Sequence, residues 1–132
     1  MRLFVIIAIW GALFAIGCSR NRVEEEYRNG HSTARADVAK GYLAIAYAES
    51  THTSAYWFYY EGLLRTNYGV QCYIVTLPAN PQAAEAWARG YNEVGQPEIE
   101  RRFGTSVLQR TMNEAQTIYD QSYPQKKRKT SL

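Results

Sequence analysis

The sequence predicts a small single domain of the α+β class, in the order β-α-β-α-α, with a short sheet covered by helices. Three observations carry that prediction. Residues 42–48 and 70–77 alternate at period two, as strands do when successive side chains leave opposite faces. Residues 55–68, 82–94 and 106–123 repeat apolar side chains at helical spacing, the mark of helices with one inward face. Gly69, Pro78, Gly104 and Pro124 fall between these stretches, where chain breakers belong.

The first strand, 42–48, places Leu43, Ile45 and Tyr47 on one face and Tyr42, Ala44, Ala46 and Ala48 on the other. The small-residue face admits a closely packed helix or sheet surface. Ser54 is the expected N-cap of the helix that follows. Tyr56, Tyr60, Leu63 and Leu64 form its inward stripe, widened by Trp57 and Phe58. Glu61 and Arg65 sit four apart in the favourable orientation, and Gly69 supplies the left-handed stop. Residues 70–77 make the second strand, β-branched and aromatic, ending at Pro78.

Asn80-Pro81 opens the next helix with a cap and a proline at the first position, where its missing N–H costs nothing. Ala84, Trp87, Tyr91 and Val94 share one of its faces. Gly95-Gln96-Pro97 is expected to break or kink it, leaving 98–103 as a short separate helix with Ile99 and Phe103 inward. Thr105 is the expected cap of the last helix, striped by Leu108, Met112, Ala115 and Tyr119. A helix between two strands makes a parallel crossover the default, although sequence alone leaves the pairing sense open. Two strands form a marginal sheet, which an edge strand from the N-terminal segment or from another protomer would complete.

Ahead of the domain, Arg2 precedes an almost uninterrupted apolar run, 3–16, followed by Gly17 and Cys18. A basic start, a short apolar run and small residues are the layout of a secretory leader. The run is shorter than the roughly 20 residues of a membrane span. With Cys18 directly after Ala15-Ile16-Gly17, residues 1–19 resemble a bacterial lipoprotein signal. The resemblance implies cleavage before Cys18, a diacylglyceryl thioether on its sulfur and acylation of the new amino terminus. Ser19 resembles the outer-membrane sorting class, so the implied location is the bacterial cell envelope, at the outer membrane facing the periplasm. Ala15 departs from the family pattern, which usually has Leu or another branched residue there.

Two other readings of these residues stay open. An ordinary secretory leader cut at the same place would leave Cys18 free to pair with Cys72, the second of the two cysteines. An uncleaved run would act as a short anchor.

Under the lipoprotein reading, 1–17 is a signal peptide and 18–38 is the lipidated cysteine with a polar tether. The tether has too few apolar residues to fold alone and would lift the 39–123 domain off the bilayer. Residues 124–132 form a basic tail expected to be disordered. The formal net charge of +3 misleads. Lys126, Lys127, Arg128 and Lys129 are in the tail and Arg2 is in the leader, so ten basic residues meet twelve acidic ones between 18 and 125. A mildly acidic body with a basic tail gives no electrostatic footprint for nucleic acid.

The sharpest chemical candidate is the loop Glu49-Ser50-Thr51-His52-Thr53-Ser54, at a strand's carboxyl end and a helix's amino terminus, where anions and ligands collect. Glu49, Thr51, His52 and Ser54 are its possible ligand residues. Turn and cap chemistry accounts for the same composition. The two histidines, His31 and His52, lie at no metal-ligand spacing, and neither a nucleophile elbow nor a phosphate loop is present. No metal, cofactor or catalytic residue is assigned. A strand-interior Cys72 reads as an inert thiol.

The aromatic run 56–60 exceeds what one core stripe needs. Tyr56, Trp57, Tyr59 and Tyr60 form the possible partner surface, against the competing reading that a small domain fills its core with large rings. The expected function is therefore that of a non-enzymatic, membrane-anchored envelope protein that binds an envelope partner or itself. A ligand-binding domain using the 49–54 loop ranks second and a small hydrolase last.

Overall fold

A two-stranded parallel sheet lies between two pairs of helices. The computed structural model describes the backbone of residues 3–51, 54–77 and 79–124, and their side chains from residue 21 on, Thr51 excepted. The elements are α1 (Leu3–Ala39), β1 (Ala44–Ala48), a 3-10 turn (Glu49–Thr51), α2 (Trp57–Tyr68), β2 (Gln71–Val75), α3 (Pro81–Phe103) and α4 (Val107–Ser122). β1 and β2 pair in parallel, with Ala44 opposite Gln71 and Ala48 opposite Val75. The chain is thus a small α+β domain with a short sheet covered by helices, as its periodicity predicts.

The two faces of β1 enter different cores. Leu43 and Ile45 join Trp57, Tyr60 and Leu64 of α2, Val70, Ile99 of α3 and Val107 of α4. Ala44 and Ala46 join Ala34 of α1 with Ala88 and Tyr91 of α3. Small side chains on the second face let two helices approach the sheet closely, in agreement with the alternation read from 42–48.

The segment 18–38, expected to be an unfolded polar tether, is instead part of α1. It folds because it docks by backbone contact rather than by large apolar side chains. A Cβ on Gly30 would run into the Trp87 carbonyl, and one on Gly90 into the Tyr27 carbonyl. Ala34 is wholly buried beside this crossing. Tyr27 donates to the Glu93 carboxylate, and Tyr91 Oη donates to Asp37 at 2.8 Å. The domain therefore begins well before residue 39.

The expected break at 95–97 is also absent: α3 runs unbroken through Pro97. An interior proline costs about 3 kcal/mol. Ile99, wholly buried, and Phe103, packed on the same core, hold the following turns in place. Asn80 caps α3 as anticipated, its side chain accepting from the Ala83 N–H at 3.1 Å. Gly69 closes α2 at φ 68°. The other two caps differ from expectation. Residue Tyr56 occupies the N-cap of α2 without a side-chain bond, while the Ser54 carbonyl accepts from Trp57 N–H at 3.0 Å. Ser106 rather than Thr105 precedes α4, also without a side-chain bond.

Candidate interaction surface

The two edges of the sheet are treated oppositely. Gln71 N–H donates to the Leu43 carbonyl at 2.9 Å. In a parallel ladder that registers Leu43, Ile45 and Tyr47 toward β2 and turns the peptide groups of Ala44, Ala46 and Ala48 outward. α3 covers this outer edge of β1. Asn92 Oδ1 accepts from Ala46 N–H and Asn92 Nδ2 donates to the Ala46 carbonyl, both at 2.7 Å. One side-chain amide thus imitates a neighbouring strand. Gly95 presses against the Ala44 carbonyl, where a Cβ would lie 2.7 Å from the oxygen.

Among the described residues, none pairs with β2 in this way. The same register turns Gln71, Tyr73 and Val75 toward β1 and points the peptide groups of Cys72 and Ile74 away from it. Among the described residues no hydrogen bond reaches those outward groups. Tyr73 is 37% and Ile74 43% exposed, on opposite faces of the strand. From Val70 to Leu77 the chain carries no charge. Edge strands are ordinarily blunted by lysine, proline or a bulge, and β2 has none of these.

The aromatic set divides on burial. Trp57 is 7% and Tyr60 1% exposed, so both belong to the core and neither offers a partner surface. Tyr47 meets Trp57 edge-on with ring centroids 4.1 Å apart, and its hydroxyl donates to Tyr60 Oη at 3.3 Å. Tyr56 and Tyr59 are half-buried against the same cluster. The exposed ring is Phe58, at 80%.

Of the 49–54 loop, the side chains of Glu49, Ser50 and Ser54 are described. Glu49 and Ser54 are exposed, and Ser50 Oγ donates to Glu85 at 3.1 Å. Thr51 ends the 3-10 turn; its side chain and residues His52 and Thr53 lie outside the described residues. Beside the loop, Glu49, Ser50, Val75, Leu77, Pro81 and Ala84 line a cleft of about 270 Å³, smaller than ordinary ligand pockets.

A larger open groove, about 760 Å³, follows the covered edge of β1 below α3. Its carboxylates already have partners: Tyr27 donates to Glu93, Ser50 to Glu85 and Gln96 to Glu100. Neither histidine nor cysteine lines it. Burial pushes the Cys72 thiol up to about 12, the reverse of what a nucleophilic thiol needs. Among the described residues no cluster of potential metal ligands occurs, and no helix is long and apolar enough to cross a membrane. The Cys18 side chain is outside the described side chains.

Sequence periodicity missed the open edge of β2, because hydrogen-bond direction depends on register and not on composition. It also missed the aromatic contact between the start of α2 and the end of α4, where Tyr59 lies 6.5 Å from Tyr119 between ring centroids. The i,i+4 spacing of Tyr119 and Tyr123 was the available signal. Comparison of the chain with protein-family models, with curated proteins and with solved structures finds no match.

Proposed function

We propose that this chain is a membrane-anchored, non-enzymatic envelope protein whose domain is an interaction module that takes up a strand at β2. The observation that carries the reading is the uncovered edge at Cys72 and Ile74, uncharged and flanked by exposed Tyr73 and Ile74 side chains. Added strands gain main-chain hydrogen bonds for affinity and side-chain pockets for specificity. The strand comes from an envelope partner or from a second copy. The lipoprotein-like leader and Cys18 support the anchoring, which would set the domain at the bacterial outer membrane, facing the periplasm.

Ile74→Pro tests the interaction. It removes only an N–H that points away from β1, so the ladder within the domain is kept. Affinity capture from detergent-solubilised membranes, with mild crosslinking, should recover a partner or a dimer with the wild-type chain and lose it with Ile74→Pro at unchanged melting temperature. A wild-type chain that runs alone and monomeric removes the proposal. Mass spectrometry of the mature amino terminus tests the anchor, and an unmodified Cys18 rules out lipidation.

A further inference from the structure

The outer edge of β1 borders the groove of about 760 Å³ along α3. Ala46, Ala48 and Ala88 line it together with the Tyr47 ring and Pro97. A hollow of about 200 Å³ adjoins it and shares Tyr47, Asn92 and Gln96. Leu108 and Met112 of α4 line that hollow with Ile45 and Tyr60. The two form one largely apolar channel that passes from α3 to α4 beside the Tyr47 ring. A strand cannot pair here, because Asn92 holds both peptide groups of Ala46 and Gly95 presses on the Ala44 carbonyl. An occupant must pack by its side chains, as a helix laid in a groove does. The alanines leave room for large apolar side chains.

The groove is also acidic. Glu85, Glu93 and Glu100 line it at intervals of eight and seven residues, which sets them along one face of α3 over about 22 Å. Each accepts from a neutral donor: Ser50 Oγ on Glu85 at 3.1 Å, Tyr27 Oη on Glu93, and Gln96 Nε2 on Glu100 at 2.8 Å. These bonds orient the carboxylates and leave their charge in place. Among the described residues the ion pairs form elsewhere, at Glu24 and Glu98. Arg89, the cation among the lining residues, lies over the Tyr27 ring at 5.4 Å. Leu108, Gln109 and Met112 on the α4 side bring no charge.

We infer that this groove is a docking site for an amphipathic basic helix of a partner protein. Its large apolar side chains lie toward the alanines, and its lysines or arginines lie on the flank that meets Glu85, Glu93 and Glu100. A helix of about fifteen residues spans the three carboxylates, and basic residues repeated every seven positions stay on one flank of it. Complementary charge selects such a helix over an acidic one of the same shape. The site lies on the opposite edge of the sheet from β2 and is independent of strand uptake there. One edge takes a segment by main-chain bonds and the other by side chains.

The test uses the full chain in a nonionic detergent and a synthetic amphipathic helix of leucine and lysine, with photoreactive benzoylphenylalanine in its apolar stripe. Irradiation and peptide mapping should place the crosslinks in 85–100 of α3 and 108–112 of α4. Glu85→Gln, Glu93→Gln and Glu100→Gln combined should lower crosslinking roughly tenfold. Gln96→Trp, at an exposed position where the two hollows meet, should block it with the carboxylates unchanged. Ile74→Pro should leave it intact. Equal crosslinking by a leucine–glutamate helix overturns the basic partner. Crosslinks outside the groove, or crosslinks that survive Gln96→Trp, overturn the site. Loss with Ile74→Pro moves the peptide to β2 and overturns it too. Displacement by spermine at the same concentration as by unlabelled peptide reduces the groove to a patch of charge and also overturns the inference.

Discussion

Gly30 of α1 and Gly90 of α3 face each other's backbone, each occupying the space where the other helix presents a carbonyl, Trp87 for Gly30 and Tyr27 for Gly90. This reciprocal approach fixes the N-terminal helix to the domain. Contacts of Cα–H with carbonyl oxygen recur at such crossings, and any side chain would separate the helices.

Gly30→Ala and Gly90→Ala should each destabilise the fold by about 3 kcal/mol or more, the upper range for overpacking against atoms that cannot rotate away. Gly62, in α2, has open space around its missing Cβ. Gly62→Ala should therefore stabilise by roughly 0.5–1 kcal/mol through helix propensity. Urea unfolding of the three variants measures the contrast, and a neutral Gly30→Ala would refute the close crossing.

Asn92→Leu should cost about 2–4 kcal/mol, because it strips partners from both the N–H and the carbonyl of Ala46 at roughly 1–3 kcal/mol per buried polar group. Asn92→Asp keeps the acceptor and loses the donor, so its loss should be smaller at low pH, where a protonated carboxyl donates again. Thermal melts at acidic and neutral pH separate the two variants.

Replacing Pro97 with alanine restores a helical N–H in the middle of α3 at an exposed position. The expected gain is about 1–3 kcal/mol. A loss of stability in calorimetry would mean that the proline ring makes a contact worth more than the hydrogen bond it forbids.

Alkaline pH should weaken the fold. Burial raises the Cys72 thiol from 9.0 to about 12, and burial also raises the phenols of Tyr47, Tyr60 and Tyr91 above 10.0, Tyr91 with help from its bond to Asp37. Groups that keep their proton longer when folded contribute stability that is complete below the unfolded value and is lost as pH rises toward the folded one. The fall should begin near pH 9, first through Cys72 and then through the tyrosines. Alkylation of native Cys72 should stay slow at pH 8 and become fast in denaturant. Fast native labelling would show that the thiol is not held this way.

Much of the fold was legible because its strands and its sheet-covering helices announce themselves by large side chains. Leu43, Ile45, Trp57, Tyr60 and Leu64 recur at the right periods and all enter one core. Residues 19–39 were not legible for the opposite reason. Gly30 and Ala34 dock by what they lack, and polar residues dominate the segment, so no apolar stripe marks it as structured. Pro97 misled by a local rule that Ile99 and Phe103 override from the following turns. At the candidate surface, periodicity placed an excess of rings on α2 and could not say that Trp57 turns inward while Phe58 turns out, since the two are adjacent on the helix.

A continuous α1 changes how an anchored chain of this kind would meet its surroundings. A flexible leader lets a domain sample a hemisphere of positions above its attachment point. A helix from residue 19 to Ala39 spans about 30 Å and is clamped to α3 at Gly30 and Gly90. On an anchored chain such a stem would set altitude and heading together: turning the stem would turn the domain, and the open strand edge would sweep a ring of fixed height. A partner would be selected as much by the level at which it presents its strand as by the sequence of that strand.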